Sequence, residues 1–385
     1  MSDLTRHYSK FKVTERTLLT GHSHQAWPDC AFDGQIKAWT DAEELVDTKW
    51  GAAFSKADEI RRGFAGLLGD HSGYYSLAPN THDLLVRFLS ALDLKKRPRI
   101  VTTDSEFFSM RRQLQRIQEE GVEIVWVPAH PVNSLPERMV AAIDLKTAAV
   151  MMSSVFFNSG QIAPDLGRIQ EQCTRVGASF LLDVYHSLNV VPFEIAGLES
   201  AFIVGGGYKY CQLGEGNCFL RFPKNCELRP VVTGWMADFE ALEKSALAPK
   251  VGYGPGGARF EGSTYDPTSH YRGAEVFEFF KREKLSPTAL RKISQSQMQL
   301  LCDEFDKLNL PPQDISRDRS ICLEQIAGFL ALKTPHASKI SSALMARGIW
   351  TDFRGEVLRL GPAPYVSNQQ IKFAVQGLRE ALNSR

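Results

Sequence analysis

A lysine between two tyrosines follows an apolar run and three glycines in residues 202–210. In a partly apolar pocket the ammonium form of lysine is disfavoured, its pKa falls, and the free amine becomes nucleophilic. Such an amine can form a Schiff base with a carbonyl group. An exposed lysine after a glycine turn is the structural alternative for Lys209. The glycines favour close approach of the backbone to a bulky group, and Tyr208 and Tyr210 favour a walled pocket.

A carboxylate follows another apolar run upstream, where Asp183 is succeeded by His186. Pyridoxal phosphate (PLP) works as an electron sink while its pyridine nitrogen is protonated, and a nearby carboxylate stabilises that proton. Asp183 and Lys209 at the ends of two strands therefore predict PLP chemistry. His186 would stack on the cofactor ring or bond the carboxylate. Taken singly, Asp183 also fits a turn cap and His186 a half-buried structural histidine.

Three further residues could bind the phosphate and the pyridine ring of such a cofactor. Asn80 or Thr81 would cap a helix, and the free N–H groups there would form an anion site for the phosphate, although an ordinary N-cap has the same sequence. Phe107 follows a strand and could stack on the pyridine ring, with core packing expected for one of Phe107 and Phe108.

Two polar positions could contact a substrate or the cofactor's phenolic oxygen. Ser159 lies in a polar segment after a predicted strand, and the alternative there is a simple turn. Arg359 lies inside an apolar strand and needs a partner. A substrate carboxylate would offer bidentate bonding and a structural salt bridge would serve equally, so both interpretations stay open.

Strands and helices that alternate along the chain must position these residues. Strands are predicted at residues 99–103, 122–127, 148–157, 179–184 and 201–205, and helices at 83–94, 111–120, 135–143 and 166–176. This order predicts an α/β fold with a mostly parallel, doubly wound sheet, in which ligands bind beyond the carboxyl ends of the strands. Further helices at 271–283, 288–308, 336–347 and 368–382, with strands at 322–333 and 357–360, predict a smaller α+β domain. The expected divisions are 1–50, packing with the small domain, 51–265, binding the cofactor, and 266–385.

Composition narrows the class of protein. The 385 residues are 43% hydrophobic and 23% charged, with a formal net charge of +1, which is typical of a globular protein. Scattered basic residues indicate neither a nucleic-acid surface nor a membrane-binding face, and no apolar run reaches the ~20 residues of a membrane helix. Seven cysteines without a disulfide or zinc spacing predict reduced thiols in a cytoplasmic protein, with no metal site.

The motifs together resemble the class V branch of fold-type I PLP enzymes, and within it kynureninase. The resemblance covers most of the chain in consistent order. It rests on D-x-x-H-S at 183–187, Y-K-Y at 208–210 with trailing glycines, a G-W segment ending at Trp235, S-G-Q at 159–161, and Arg359 followed by Pro362, Pro364 and Tyr365.

The resemblance implies PLP as cofactor and a small α-amino acid as substrate. Lys209 would carry the Schiff base beside Tyr208, and Arg359 would bind the α-carboxylate. Kynureninase-like chemistry would cleave the Cβ–Cγ bond hydrolytically and release alanine. A homodimer with sites at the subunit interface is implied, in which Trp235, Ser263 and Thr264 complete the neighbour's phosphate site.

Departures from the family pattern fall on substrate recognition. Residues 22–25 read H-S-H-Q where N-S-L-G is expected, Phe156 replaces an asparagine, and the chain is shorter after Trp50. A class V aminotransferase is therefore the closest alternative. A cysteine desulfurase or β-lyase, with Cys322 as the late candidate nucleophile, and a non-catalytic PLP-binding protein rank lower.

Overall fold

The computed structural model describes residues 4–241 and 249–383. Seven strands form the central sheet: β2 (Gly73–Ala78), β3 (Arg99–Thr103), β4 (Glu123–Val127), β5 (Thr147–Ser153), β6 (Ser179–Asp183), β7 (Phe202–Gly206) and β8 (Cys218–Pro223). Their order is β2-β8-β7-β6-β5-β3-β4. Strands β7, β6, β5, β3 and β4 are mutually parallel, while β8 is antiparallel to both of its neighbours.

Both faces of this sheet are covered. Every residue of β5 is buried, and its alternate side chains enter two different clusters, with Val150 and Met152 in one and Ala149 and Met151 in the other. A parallel strand buried on both faces is what crossover helices produce. The helices of this part are α2 (Trp50–Leu68), α3 (Thr81–Ser90), α4 (Phe108–Glu119), α5 (Leu135–Ala142) and α6 (Leu166–Val176). The predicted doubly wound α/β sheet is confirmed.

The C-terminal part combines helices with a small antiparallel sheet. Its strands are β9 (Leu330–Lys333), β10 (Ile349–Trp350), β11 (Asp352–Arg354) and β12 (Val357–Leu360), of which three pair in the order β11-β12-β9. Its helices are α7 (Thr268–Arg282), α8 (Pro287–Lys307), α9 (Ala337–Met345) and α10 (Asn368–Asn383).

The N-terminal segment is tied to this C-terminal part. Strand β1 (Thr17–Leu18) pairs in parallel with β10, and Thr20 forms a bridge to Gly361. Helix α1 (Cys30–Leu45) packs against α7. The division into an N-terminal segment of residues 1–50, a large domain and a small domain stays a prediction.

Most predicted elements form within a few residues of their expected ends, but two differences matter. The strand expected at 322–333 is reduced to β9, because residues 323–325 form a 3-10 turn before it. The strand expected at 148–157 ends at Ser153, after which Val155 forms an isolated bridge to Ile162 around a tight turn. Strands β2 and β8, which complete one edge of the sheet, were not predicted.

Candidate active site

A cavity of about 500 Å³ lies at the carboxyl ends of the parallel strands. Strands β5, β6 and β7 end at this edge, and the segments that follow β2 and β3 also reach it. The cavity brings together seven of the residues singled out by the sequence, namely Asn80, Thr81, Phe107, Asp183, His186, Tyr208 and Lys209. The ends of several strands therefore supply one site, as the doubly wound topology requires.

Lys209 reaches the cavity from the glycine turn that follows β7. A Cβ at Gly206 would lie 2.6 Å from the Sγ of Cys218 and would also collide with the hydroxyl of Tyr185, so glycine is required for this close packing. The Nζ of Lys209 lies 4.5 Å from the ring centre of Tyr185. Burial lowers the pKa of Lys209 to about 7, although the charge of Asp183 opposes the shift. A substantial fraction of the amine is therefore unprotonated near neutral pH.

His186 contacts Lys209 rather than the predicted carboxylate. Its Nε2 lies 2.7 Å from the Nζ of Lys209. Burial, and then the charge of Lys209, lowers the pKa of His186 well below its ordinary range. A neutral His186 and the amine of Lys209 therefore share one hydrogen bond at Nε2, while Nδ1 of the ring has no partner among the described residues. This ring orients the lysine.

Asp183 ends β6 and is held by one hydrogen bond, which its Oδ1 accepts from the backbone N–H of Tyr185 at 2.8 Å. Burial raises the pKa of Asp183, while that hydrogen bond and the charge of Lys209 lower it. Within residues 4–241 and 249–383 it forms no ion pair. A buried carboxylate with spare hydrogen-bonding capacity, lining a cavity, favours a cationic N–H group of a ligand.

The N-terminus of α3 supplies the anion-binding end of the cavity. Asn80 is the N-cap, and its side chain accepts a hydrogen bond from the backbone N–H of Asp83 at 2.9 Å. Asn80 and Thr81 both line the cavity. The remaining free N–H groups of the first turn and the positive end of the helix dipole would favour a phosphate.

The aromatic wall differs in part from the expectation. Phe107 and Tyr208 line the cavity with Tyr185. Phe108 is 55% exposed, so the expected core packing of one phenylalanine of this pair is wrong. Tyr210 packs with Val155, Val190 and Ala327 and does not itself line the cavity, so it does not form the wall predicted for it.

Arg359 is buried beside the site but does not line the cavity. Its Nε donates to Oδ1 of Asp352 at 2.8 Å, its Nη2 donates to Oδ2, and its Nη1 donates to the carbonyl of Phe157 at 2.6 Å. His22 donates to the same carboxylate from Nε2, at 2.8 Å from Oδ1. Burial would raise the pKa of Asp352, but His22 and Arg359 hold it well below its usual range. The structural salt bridge considered for Arg359 is therefore present, and substrate binding by Arg359 stays a prediction.

Four other predicted residues lie apart from Lys209. Ser159 lines a neighbouring cavity of about 430 Å³. Trp235 donates from Nε1 to the Oγ1 of Thr264 at 3.2 Å, and Ser263 lines a separate small pocket. None of these four side chains reaches the cavity of its own chain. For Trp235, Ser263 and Thr264 this arrangement agrees with a role in the site of a second copy, which stays a prediction.

The structure also adds residues that the sequence interpretation missed. Tyr185, Ser153 and Cys218 line the cavity, Glu106 lies behind Ser153, and Asp352 holds Arg359. The sequence contained only weak signals for Glu106 and Asp352. Glu106 directly precedes Phe107, and Asp352 begins a charged segment that ends in a glycine turn.

Comparison with known proteins shows what the whole chain is similar to. A family model of the kynureninase C-terminal domain matches residues 290–378. Kynureninase of Bacillus cereus is 23% identical over 97% of this chain and 86% of its own length. Kynureninase of Burkholderia pseudomallei is 26% identical over 89% of this chain and 85% of its own. The chain is similar to kynureninases.

Solved structures share the fold. A mutant of C-DES with glycine covalently linked to its PLP cofactor has a TM-score of 0.84 at 16% identity, covering 97% of this chain and 98% of that chain. A cysteine desulfurase from Thermococcus onnurineus has a TM-score of 0.83 at 15% identity, covering 100% and 99%. The resemblance to kynureninases, the fold class and the expectation of an enzyme are confirmed.

Two exclusions made from the sequence can be compared with the described residues. Over residues 4–241 and 249–383, no helix combines the length and apolarity needed to cross a membrane. In that same part of the chain, no group of three or more acidic, histidine or cysteine side chains is placed to hold a metal ion.

Proposed function

We propose that this kynureninase-like enzyme uses PLP to hydrolyse the Cβ–Cγ bond of an α-amino acid that bears a γ-carbonyl group. The observation that carries the proposal is the buried amine of Lys209, which shares one cavity with Asp183 and with the N-terminus of α3. An amine, a carboxylate and an anion site match the aldehyde, the pyridine nitrogen and the phosphate of PLP.

The described residues fit this cofactor. The similarity to kynureninases and the PLP held by the similarly folded C-DES structure support the predicted cofactor. Lys209 would hold it covalently, Asp183 would keep a proton on the pyridine nitrogen, and Asn80 with Thr81 would bind the phosphate. Phe107 and Tyr185 would contact the ring. When bound, PLP supplies an electron sink that stabilises negative charge at the substrate Cα.

Lys209 is also the residue placed to move the substrate proton. As a free amine, its Nζ would take the proton from the substrate Cα, because burial lowers the pKa of Lys209 to about 7. His186, at 2.7 Å, fixes the direction of the Nζ.

Arg359 would hold the α-carboxylate of the substrate. Three of its N–H groups are bound by Asp352 and Phe157, and a guanidinium has five, so one N–H on each terminal nitrogen is left for a second carboxylate. Asp352 would then act as the residue that positions Arg359. Because Arg359 does not line the cavity, its binding of the substrate would also require a movement of Arg359 towards the cavity.

The cofactor assignment is tested with the Lys209→Ala variant. The purified wild-type protein, incubated with PLP, should show the visible absorbance of a Schiff base, and Lys209→Ala should lose it. A Lys250→Ala variant is the matched control, since Lys250 is exposed and does not line the cavity. Schiff-base absorbance that persists in Lys209→Ala would place the attachment elsewhere.

The reaction is tested with kynurenine and with amino acids offered alone or with a keto acid. Hydrolysis predicts alanine from kynurenine without any keto acid. Amino-group exchange that requires the keto acid would instead identify the class V aminotransferase. Amino acids that change the absorbance without any product would leave only cofactor binding and contradict the proposed hydrolysis.

A cysteine desulfurase is less well supported. Such an enzyme needs a nucleophilic cysteine, and Cys322 is exposed but does not line the cavity. Cys218 is the cysteine that lines it, within the described residues. Burial raises the pKa of Cys218 to about 12, which keeps it a thiol.

We further propose that two copies assemble, with each completing the other's site. Val231, Val232 and Phe239 are exposed apolar residues of the segment 231–239, by 81%, 47% and 40%. Trp235 belongs to the same segment, with its ring 5.2 Å from that of Phe239. Exposed apolar side chains close in sequence to the predicted phosphate ligand Trp235 suit contact with a second copy. Free thiols at all seven cysteines agree with the expected cytoplasmic location.

Subunit complementation tests this assembly. Lys209→Ala and Trp235→Ala should each be impaired alone, but mixed chains should regain activity, because one of the two sites then has both native residues. Light scattering should give the mass of two chains. A monomeric mass, or a mixture no more active than its components, would contradict the shared site.

A further inference from the structure

A second buried carboxyl lies behind the cavity, on the turn that follows β3. Glu106 is 1% exposed. Its Oε1 is 2.5 Å from the Oγ1 of Thr103, and its Oε2 is 2.6 Å from the Oγ of Ser153. No lysine, arginine or histidine forms an ion pair with it in the described part of the chain, so two hydroxyl groups are its side-chain partners.

Ser153 connects this carboxyl to the proposed cofactor site. It lines the cavity, and in the register of β5 and β6 it is directly opposite Asp183. Ser153 on β5 therefore lies between Glu106 and Asp183. Asp183 on β6 is the charged group that acts on Glu106, and Lys209, which follows β7, acts on Asp183 in turn.

The two carboxyls face a common physical difficulty. A buried carboxylate without a cationic partner is unfavourable, and a second one nearby adds like-charge repulsion. Burial raises the pKa of Glu106 to about 7, the hydroxyls of Ser153 and Thr103 oppose this, and Asp183 adds to the increase. Of the two, Asp183 is the one that lines the cavity, where a bound cation would stabilise its charge.

We propose that Glu106 is a positioning residue that acts in its protonated form, donating to one hydroxyl and accepting from the other, so that Ser153 is fixed and Asp183 is the single charged carboxyl behind the cofactor. The proposal rests on the proposed role of Asp183 in PLP binding. A neutral carboxyl can satisfy both Thr103 and Ser153, since a hydroxyl can donate or accept. Glu106 would hold its proton without passing it to the substrate.

Substituting glutamine for Glu106 distinguishes a protonated Glu106 from a Glu106 that acts as an anion. The Glu106→Gln side chain has nearly the same shape, is neutral, and can also donate at one end and accept at the other. Glu106→Gln should therefore bind PLP with an affinity within about threefold of wild type, while Glu106→Ala should bind at least tenfold more weakly. The exposed Glu171→Gln is the matched control. Equal losses in the Gln and Ala variants would overturn the proposal.

The apoprotein supplies a readout that does not depend on the cofactor. The unfolded glutamate loses its proton near 4.5 and folded Glu106 near 7, so the folded state binds more protons between these values and the free energy of unfolding falls as pH rises. Glu106→Gln should remove this slope relative to Glu171→Gln. Infrared spectra at mildly acidic pH, below the pKa of Glu106, should show a protonated carboxyl band that Glu106→Gln abolishes and Glu171→Gln retains.

The outcomes distinguish the two proposals. An unchanged slope together with an unchanged infrared band in Glu106→Gln would refute the protonated carboxyl, whatever the cofactor does. Loss of the slope and band in a protein that forms no Schiff base would support the protonated Glu106 and refute the proposed function instead. If Glu106→Ala fails to fold, Glu106→Gln against Glu171→Gln decides.

Discussion

The guanidinium of Arg359 is bound along one edge by the carboxylate of Asp352, with Nε 2.8 Å from Oδ1. The two residues are directly opposite each other in the antiparallel pairing of β11 and β12. His22, from the segment after β1, binds the same carboxylate. The residue proposed to recognise the substrate is thus held by its own hairpin and by the N-terminal segment.

Removing the charge of Asp352 should loosen Arg359. Asp352→Asn keeps the shape but replaces one accepting oxygen by an NH2 donor, so it cannot bind the guanidinium through two oxygens, and breaking a buried pair costs about 3 kcal/mol. We expect a KM for amino-acid substrate raised about tenfold with a smaller change in kcat, because ground-state carboxylate binding is lost. Steady-state kinetics and thermal unfolding measure both effects. The exposed Asp318→Asn is the control, and an unchanged KM would exclude Asp352 from positioning Arg359.

The reactivity of Lys209 should follow its lowered pKa. An ordinary lysine is protonated up to a pKa of 10.5, whereas burial lowers that of Lys209 to about 7. The rate of Schiff-base formation between apoenzyme and PLP should therefore rise with pH around 7 and then level off. Stopped-flow absorbance across this range measures it.

The matched variant for this pH profile is Asp183→Asn. Because the charge of Asp183 raises the pKa of Lys209, its removal should move the midpoint to lower pH. A midpoint that moves to higher pH, or a rate that keeps rising towards 10, would contradict the described environment of the amine.

Two glycine substitutions should have opposite effects. Gly206→Ala places a methyl group against Cys218 and Tyr185, and overpacking of this kind costs about 1–3 kcal/mol. Gly66→Ala, in α2 with nothing within 4 Å of its Cβ, should stabilise the protein by about 0.5–1 kcal/mol. Denaturant unfolding measures both values. PLP affinity should fall only in Gly206→Ala, and retention there would show that Tyr185 does not support the cofactor.

The ion pair between Asp70 and Arg221 should affect stability without touching the site. The Oδ2 of Asp70 lies 2.6 Å from the Nε of Arg221, both side chains are 1% exposed, and neither lines the cavity. Asp70→Ala leaves a buried unpaired guanidinium and should cost about 3–5 kcal/mol. The absorbance of the folded holoenzyme should stay unchanged, with exposed Asp93→Ala as the control. A change in absorbance would connect this pair to the cofactor.

Parts of the site that depend on strand ends could be predicted from the sequence. Asp183 and Lys209 each follow an apolar strand, and parallel strands bring their carboxyl ends to one edge. The pairing of Glu106 with Ser153 depends on β5 lying beside β3 with β4 outside it, an order that periodicity does not carry.

The contact of Arg359 with Asp352 depends on a short turn. Asp352 meets Arg359 because β11 and β12 are joined through Gly355, which has a φ of 54°. That glycine was visible in the sequence, but the flanking strands are too short for a strong alternating pattern. Trp235 and Thr264 could not be placed at the cavity, since their predicted target is a second chain.

The pairing of Thr17 with Ile349 has a consequence for how the protein is made. During translation, the first strand leaves the ribosome long before its partner has been synthesised, and domains usually fold in the order in which they emerge. The parallel sheet can form while this N-terminal strand is still unpaired. The β1–β10 pair can therefore close only after residue 349 has been synthesised. The contact of His22 with Asp352 forms equally late, so both are among the last steps of folding.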